Sequence, residues 1–444
     1  MKRILKSLLY LTVKAYFRSI TINNIEAIPK KGPVLFVANH PSAFMDPIVI
    51  TVFIDRILHY LARGESFANP VSRFIFTRLN MIPMYRAFKT PDEMHKNKAV
   101  FQKCFDHLKE RGAIIIFPEG LSKTQRRLGP IKTGAARITL GAEAQNEFKL
   151  GCTIVPIGIN YSDPHAFYSD LLLNIGEPIQ LADYQKIYEE NDRGAVQELT
   201  DRIKRELENN TVVIQDEELD GLIANIETIY RSKLRETSED EEEQSVHNFR
   251  LSKEIVDAVH HFNRHEPERV STIKSKIENY LGGLRHLKIR DTQMRGQEGA
   301  NFFLSWLYLV VLFPAYLIGF VINYIPYKMT GVVTSRFLNR EDFRGSLQLA
   351  SGMFIFLIFY VGIACSVLLF FSKWVALVTL GLSYPFGLFA LHYARQFYRM
   401  KSNWRFMELF MKDVNQLAKL ATMREEIIEE LEKGKTDYLQ MKEN

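Results

Sequence analysis

Residues 39–47 read NHPSAFMDP and combine a histidine with a nearby carboxylate. A neutral imidazole such as that of His40 can take a proton from a hydroxyl group, and a carboxylate such as that of Asp46 can fix the tautomer and stabilise the imidazolium that forms. The hydroxyl can then attack a thioester carbonyl directly, so this chemistry requires no serine or cysteine nucleophile. One histidine and one aspartate at this spacing are weak evidence by themselves, because Asp46 could also cap a following helix.

A second candidate motif, Phe117-Pro118-Glu119-Gly120, follows the apolar run AIII. We expect Glu119 to face a site at the end of that run, and Gly120 permits a tight turn. Four basic residues come next, before a helix predicted from residue 133: Lys123, Arg126, Arg127 and Lys132. A basic cluster beside a helix N-terminus suits a phosphate group. The alternative is a solvated basic loop, or a loop that touches anionic lipid.

Alternating strands and helices are predicted to position these motifs. Short apolar runs predict strands at 34–38, 57–62, 81–85, 113–117, 153–159 and 171–175. Helical periodicity is found at 71–79, 92–110 and 133–147. This alternation predicts an α/β domain with a mostly parallel sheet flanked by helices. Ligands bind at the carboxyl ends of the strands in such sheets, which is where the motifs fall.

The rest of the chain predicts helices. Residues 1–25 predict an amphipathic helix with basic flanks that lies on a membrane surface, or alternatively a helix packed on its own domain. Residues 181–300 predict a charged helical region with an acidic linker at 238–244. The histidines in that region, at positions 260, 261 and 265, lack carboxylates or cysteines at ligand spacing. We therefore interpret them as helix-surface residues and predict no metal site.

Three apolar stretches, 302–325, 347–372 and 374–393, are each long enough to span a hydrocarbon core, which requires about 20 residues. They predict an integral membrane protein with C-terminal transmembrane helices after the α/β domain and the helical region. The predicted domain boundaries are 1–25 for the surface helix, 26–180 for the α/β domain, 181–300 for the helical region, 301–394 for the membrane segments and 395–444 for a helical tail.

The composition fits this organisation. With 444 residues, the chain is long enough for two or three domains. A net charge of +6 suits an anionic membrane surface or phosphate-bearing substrates. No basic stripe with interleaved aromatic residues is present, which argues against nucleic acid as a partner. The cysteines, Cys104, Cys152 and Cys365, are far apart in the sequence and indicate a reduced compartment.

Four motifs in this order resemble those of the glycerol-phosphate and lysophosphatidate acyltransferase family. They are NHPSAFMDP at 39–47, IPMYR at 82–86, FPEG at 117–120 and IVPIGIN at 154–160. The resemblance covers about residues 32–179. Any one motif is common by chance, whereas four in order with appropriate spacing are a specific signal.

The resemblance implies a role for each matching position. His40 would be the general base and Asp46 its partner. Arg86 would bind the acceptor's phosphate, and Glu119 would contact its polar head at the turn shaped by Gly120. Three further basic residues would complete the substrate-binding set: Lys123, Arg126 and Lys132.

Two features depart from the usual family pattern. Five residues separate His40 from Asp46 where four are usual, and Leu121-Ser122-Lys123 replaces the usual Thr-Arg after FPEG. Both features resemble a fungal-type subset of glycerol-phosphate and dihydroxyacetone-phosphate acyltransferases. They leave the identity of the acceptor open, and Lys123 or Arg126 could supply the missing positive charge.

The resemblance implies transfer of a fatty acyl group from acyl-CoA or acyl-carrier protein to a hydroxyl of glycerol 3-phosphate or 1-acylglycerol 3-phosphate, in phospholipid synthesis and without a cofactor. The implied partners are the lipid bilayer, the acyl donor and the lipid acceptor. We expect the catalytic domain to face the cytoplasm. We favour a bacterial inner membrane over the endoplasmic reticulum as the location of the protein. The alternatives are an acyltransferase for an aminolipid or ether lipid, a thioester hydrolase, and a non-catalytic membrane scaffold.

Overall fold

The computed structural model describes residues 2–85, 91–234, 241–295, 302–338 and 340–443. The chain divides into two compact units. The first, here the sheet unit, comprises Met1–Val213 together with Phe337–Ala350. The second, here the helical unit, comprises Ile214–Arg336 and Ser351–Asn444.

Within the described residues, eight strands form one sheet in the sheet unit. They are β1 (Ser19–Asn23), β2 (Val34–Ala38), β3 (Leu58–Arg63), β4 (Met81–Met84), β5 (Ala113–Ile116), β6 (Thr153–Tyr161), β7 (Asp170–Ile175) and β8 (Ile179–Gln180). The order is β1-β7-β6-β2-β5-β3-β4, and β8 pairs with β6. Only the β6–β7 and β6–β8 pairings are antiparallel among these strands. The predicted mostly parallel sheet is confirmed, and β1 and β8 are strands that the sequence patterns did not predict.

Helices cover the sheet. Those of the sheet unit are α1 (Lys2–Tyr16), α2 (Met45–Phe53), α3 (Pro70–Arg78), α4 (Asn97–Lys109), α5 (Gly134–Ala144), α6 (Gln185–Glu190) and α7 (Asp192–Asn210). The three helices predicted in this region correspond to α3, α4 and α5. The predicted start of α4 is instead a 3-10 helix at Pro91–Lys96.

The central strand β2 is buried on both faces, which explains why its sequence, VLFVA, is continuously apolar. Phe36 packs into the core cluster on one side of the sheet, and its neighbour Leu35 packs into the cluster on the other side. Parallel neighbours β5 and β6 hold β2 along both edges. The end of β2, where the histidine motif begins, is therefore rigidly placed.

The N-terminal helix α1 packs on its own unit through one face, where Val13 and Tyr16 are buried in the core. The outward face keeps large apolar side chains exposed, among them Ile4 and Leu11. An apolar outer face with basic flanks suits a lipid surface, so contact with a membrane through this face remains a proposal.

The predicted helical region and the predicted apolar helices after it are confirmed in the helical unit. Its helices are α8 (Glu217–Leu234), α9 (Glu241–His265), α10 (Pro267–Leu287), α11 (Phe302–Phe337), α12 (Arg344–Phe370), α13 (Lys373–Lys412) and α14 (Val414–Glu443). The end of α11 and the first turns of α12 are counted with the sheet unit. Part of the predicted acidic linker, at 238–240, lies outside the described residues.

Among the described residues, three helical stretches have the length and composition to span a membrane, as the apolar sequence predicted. They are Leu304–Phe337, Glu341–Phe370 and Lys373–Lys412, with mean hydropathies of 2.1, 2.7 and 1.7. Apolar side chains on these helices are largely exposed, and Leu369 and Phe370 reach 80% and 81% exposure. Because water would strongly disfavour so much exposed apolar surface, these helices fit a lipid environment.

Candidate active site

The sheet brings the sequence motifs to one edge. Strand β2 lies between β5 and β6 and runs parallel to both. The residues that follow β2 and β5, together with the last residues of β6, therefore meet at the carboxyl edge of the sheet. His40 comes from the first of these positions, Glu119 from the second and Tyr161 from the third.

The histidine and the aspartate of the first motif are in direct contact. His40 Nδ1 lies 2.7 Å from Asp46 Oδ2, so with the proton on Nδ1 the ring donates to the carboxylate. The imidazole also stacks on Phe117, with ring centroids 4.2 Å apart. Because Nδ1 and the ring face are both held, Nε2 is the ring nitrogen left to act on a substrate. No described residue hydrogen-bonds Nε2.

Asp46 is fully buried, at 0% exposure, and its carboxylate accepts three hydrogen bonds. Besides the His40 ring, the Ser42 amide donates to Oδ2 at 2.8 Å and the Tyr161 hydroxyl donates to Oδ1 at 2.9 Å. Burial raises the pKa of the Asp46 carboxyl, and these donors act in the opposite direction. Burial and the Asp46 charge raise the pKa of Tyr161 well above its usual value, so this hydroxyl stays protonated and donates.

The five-residue spacing does not separate His40 from Asp46. The intervening chain makes a tight turn in which the Met45 amide donates to the Ser42 carbonyl at 2.8 Å. Ala43 has a φ of 37°, a conformation that non-glycine residues rarely adopt. This turn takes up the additional residue and delivers Asp46 into the first turn of α2, with Phe44 rather than Asp46 at the N-cap position.

Glu119 is buried and both of its carboxylate oxygens accept from backbone amides. Oε1 accepts from His40 N at 2.9 Å and Oε2 accepts from Gly129 N at 2.7 Å. Burial raises the pKa of Glu119, and the two amide donors lower it. These contacts make Glu119 a clamp between the histidine loop and the loop that ends at residue 129. The predicted contact between Glu119 and the acceptor head remains a proposal.

The predicted basic residues border this clamp. The amide of Lys123 donates to the His40 carbonyl at 3.0 Å, and its side chain is exposed. Gly120 has a φ of 71°, and a Cβ there would lie 2.5 Å from Lys132 Nζ, so the lysine side chain folds over the turn. Arg126 is partly buried on the same loop. Arg86, the predicted phosphate ligand, lies outside the described residues.

Sequence reasoning missed two polar residues at the site. Asn39 joins β2 to β6 through two hydrogen bonds, to the Ile159 carbonyl at 3.0 Å and from the Ile159 amide at 2.7 Å. Tyr161, which contacts Asp46, is the residue directly after the IVPIGIN motif. Their positions were the signal available in the sequence, since Asn39 is the first residue of the histidine motif and Tyr161 directly follows IVPIGIN. No group of three or more His, Cys, Asp or Glu side chains that could hold a metal is found among the described residues.

Comparison with known proteins identifies the domain. The family model described as Acyltransferase matches residues 19–160, which include the histidine motif and Glu119. This region is an acyltransferase-family domain. The acyltransferase domain is 34% identical over 139 residues to glycerol-3-phosphate O-acyltransferase 1 of Saccharomyces cerevisiae, and 38% identical over 112 residues to glycerol-3-phosphate O-acyltransferase 2 of the same yeast. The predicted resemblance to the glycerol-phosphate and lysophosphatidate acyltransferase family is confirmed, and so is the resemblance to its fungal type.

The matches cover only part of each relative. The two yeast alignments span 30% and 25% of this chain, and 18% and 15% of the yeast proteins. A plant relative, the chloroplastic 1-acyl-sn-glycerol-3-phosphate acyltransferase LPAT1 of Arabidopsis thaliana, is 26% identical over 34% of this chain and 38% of its own length. The crystal structure of the 1-acyl-sn-glycerophosphate (LPA) acyltransferase from Thermotoga maritima aligns with 47% of this chain and 80% of its own, at 20% identity and a TM-score of 0.34.

Proposed function

We propose that the protein is a membrane acyltransferase that moves a fatty acyl group from a thioester donor to a hydroxyl of glycerol 3-phosphate or 1-acylglycerol 3-phosphate. The observation that carries this proposal is the His40 imidazole, fixed by a buried carboxylate at 2.7 Å and leaving Nε2 for substrate, inside an acyltransferase-family domain. The relatives named for glycerol 3-phosphate and for its 1-acyl derivative support this acceptor class.

The proposed reaction uses His40 as base and then as acid. Nε2 takes the proton as the acceptor oxygen bonds to the thioester carbonyl carbon, and Asp46 stabilises the imidazolium. The tetrahedral intermediate collapses with cleavage of the carbon–sulfur bond, and the imidazolium returns the proton to the leaving thiolate. The acyl oxygen ester and the free thiol are the products, and His40 is neutral again. Neither a metal nor a cofactor takes part, and acyl-CoA or acyl-carrier protein serves as co-substrate.

We assign the phosphate of the acceptor to the basic residues beside the clamp. Lys123 and Arg126 lie on the loop that Glu119 ties to the His40 backbone, and the Lys132 side chain folds over Gly120 at the start of that loop. A phosphate bound there would place the acceptor's hydroxyl near the imidazole. Arg86 follows β4, whose carboxyl end lies at the same edge of the sheet, and it completes the proposed set. Glu119 and Gly120 shape the loop that carries this charge.

We further propose that the protein is integral to a membrane with its catalytic domain on the cytoplasmic side, where thioester donors are found. The proposed membrane is a bacterial inner membrane, and the endoplasmic reticulum is the alternative. The three long apolar helices support residence in a bilayer, and a lipid acceptor and a diacyl product both partition there. A domain at the interface can take a water-soluble donor from one side and a lipid from the other.

The test is an assay of the purified full chain in detergent. Acyl-CoA and acyl-carrier-protein donors are crossed with glycerol 3-phosphate, 1-acylglycerol 3-phosphate, dihydroxyacetone phosphate, an aminolipid and an ether lipid. We expect ester formation with a phosphate-bearing acceptor, and its loss in His40→Ala. Free fatty acid released without an acceptor would indicate a thioester hydrolase. Transfer to the aminolipid or ether lipid alone would change the acceptor class, and no activity with any pair would favour a scaffold.

A further inference from the structure

The connection between helices α11 and α12, defined here as Phe337–Ala350, includes the last residue of α11 and the first turns of α12, and the sequence on both sides of it is apolar and membrane-like. Residues Phe337–Ala350 are counted with residues 1–213 as one compact unit. Four described residues of this connection are buried there: Asp342, Gly345, Ser346 and Leu349. Buried polar side chains in a connection of this kind need specific partners, because an unpaired buried polar group is costly.

Ser346 finds its partners in the turn between His40 and Asp46. The Ser346 hydroxyl accepts from the Met45 amide at 2.8 Å and donates to the Ser42 carbonyl at 3.0 Å. These are the two backbone groups that close the turn around Ala43, which has positive φ. One hydroxyl from the connection therefore bridges the strained part of the loop that orients Asp46.

Gly345, beside Ser346, lies against the same turn. A Cβ at this position would lie 2.4 Å from the Pro164 carbonyl oxygen, 3.2 Å from Met45 Cε and 3.3 Å from Ser42 Oγ. The backbone approaches so closely that a side chain would displace it, and this approach is what allows the Ser346 hydroxyl to reach both groups.

A second polar contact ties the connection to the other catalytic loop. Asp342 accepts a hydrogen bond from the Ser122 hydroxyl, and Ser122 lies two residues after Gly120 in the FPEG loop. Arg340 orients the Asp342 carboxylate through two further bonds, at 3.0 Å to Oδ1 and 2.8 Å to Oδ2. The ring of Phe343 packs edge-on against Phe44, with centroids 5.7 Å apart. One segment thus contacts both loops that build the site.

We propose that Ser346 is a positioning residue for the His40–Asp46 pair and that Asp342 plays the same part for the FPEG loop. This inference rests on the proposed acyl transfer. Helix α12 begins at Arg344 and continues as one of the candidate membrane spans, so the group that shapes the catalytic turn is supplied by the start of a membrane helix. The acyltransferase domain taken without residues 337–350 would then have an incompletely held catalytic turn.

The competing interpretation is that Ser346 only attaches the connection to the sheet unit and does not orient the catalytic turn. Kinetic measurements separate these two interpretations. Positioning predicts that Ser346→Ala in the full chain lowers kcat about tenfold, the effect expected for loss of hydrogen bonds that orient a reacting group, with KM for donor and acceptor unchanged. Ser346→Thr keeps a hydroxyl and should recover part of kcat. The matched control is Ser366→Ala in the same helix, where the exposed hydroxyl donates to the Gly362 carbonyl and kcat should equal that of the wild type. An attachment without positioning predicts a lower melting temperature for Ser346→Ala and an unchanged kcat, which would overturn the proposal.

A second readout does not depend on activity. Hydrogen exchange of the peptide that contains residues 39–47 is measured in the wild type, Ser346→Ala and Ser366→Ala. We expect faster exchange in Ser346→Ala alone, because the Met45 amide loses one of its two acceptors and the Ser42 carbonyl loses the hydroxyl that bridges the turn. Exchange equal to that of the wild type would contradict the positioning role. A wild type that transfers no acyl group would instead reject the proposed function, while the exchange result would still decide whether Ser346 holds the turn.

Discussion

Two histidine-bearing regions of this chain have very different surroundings. His40 stands at the end of a buried strand, is 15% exposed at its side chain, and contacts a fully buried carboxylate. His261 and His265 lie one turn apart on helix α9 of the helical unit, where their rings stack on each other and His265 Nδ1 lies 2.9 Å from the His261 carbonyl. A histidine suited to proton transfer is distinguished by an oriented, buried partner and not by the number of histidines nearby.

The first and largest expected effect is that of His40→Ala. Loss of the proposed base should lower kcat by about 10³-fold, within the range typical of general base catalysis, and leave the melting temperature close to that of the wild type. His261→Ala is the matched control and should retain full activity. The measurement is the rate of acyl transfer by the two purified variants. Equal activity in the two would contradict the assignment of His40, and not His261, as the base.

Asp46→Asn should give the next largest loss, about 10²-fold in kcat, because a neutral amide cannot stabilise the imidazolium and can hold the wrong tautomer. The exposed residue Asp55 provides the control, and Asp55→Asn should behave as the wild type. If Asp46→Asn kept the wild-type kcat, the buried carboxylate would have no part in orienting His40.

Glu119→Gln should disturb the clamp more than the chemistry. A glutamine offers one oxygen acceptor to the two amides of His40 and Gly129, so one buried donor loses its partner at a cost of about 1–3 kcal/mol in the free energy of unfolding. We expect a melting temperature several degrees lower and a kcat roughly tenfold lower. Glu177→Gln, at an exposed position of the same unit, should change neither. A stable and fully active Glu119→Gln would show that the two amide contacts do not brace the loop.

Tyr161→Phe should have the smallest effect on rate, about threefold to tenfold for one hydrogen bond to a charged group, together with a defined change in pH dependence. Transfer requires an ionised Asp46, and burial raises the pKa of this carboxyl, so activity should fall as the pH falls through a value above the usual carboxyl range. The Tyr161 hydroxyl lowers this pKa, and its removal should move the acidic limb to higher pH. In the control Tyr10→Phe, the acidic limb of the pH profile should not move. An unmoved limb in Tyr161→Phe would show that the Tyr161 hydroxyl does not influence the pKa of Asp46.

Much of the sheet could be predicted from the sequence, because strands buried on both faces show continuous apolar runs. VLFVA and AIII are the clearest examples, and both are strands in the structure. The strand β1, SITIN, alternates polar and apolar residues over only five positions, and β8 has two residues, so neither gives a distinctive pattern. Helix α2 is not among the predicted helices, and it begins inside the histidine motif.

The site itself was predictable only in part. The residues of a motif are visible in the sequence, whereas partners that come from distant strands depend on sheet order. Tyr161 meets Asp46 because β6 lies beside β2, and Ser346 meets the same loop because residues 337–350 fold onto the sheet unit. The two amide contacts of Glu119 could not be predicted for the same reason, since its partners are 79 and 10 positions away in the chain.

The most direct test of the central claim is a double-mutant cycle of kcat for acyl transfer, with His40→Ala, Asp46→Ala and the double variant. If the carboxylate acts only through the imidazole, the double variant should be no slower than His40→Ala, because Asp46 has nothing left to orient. Losses that multiply in the double variant would show that the two residues act independently, and they would contradict the paired base inferred from the 2.7 Å contact.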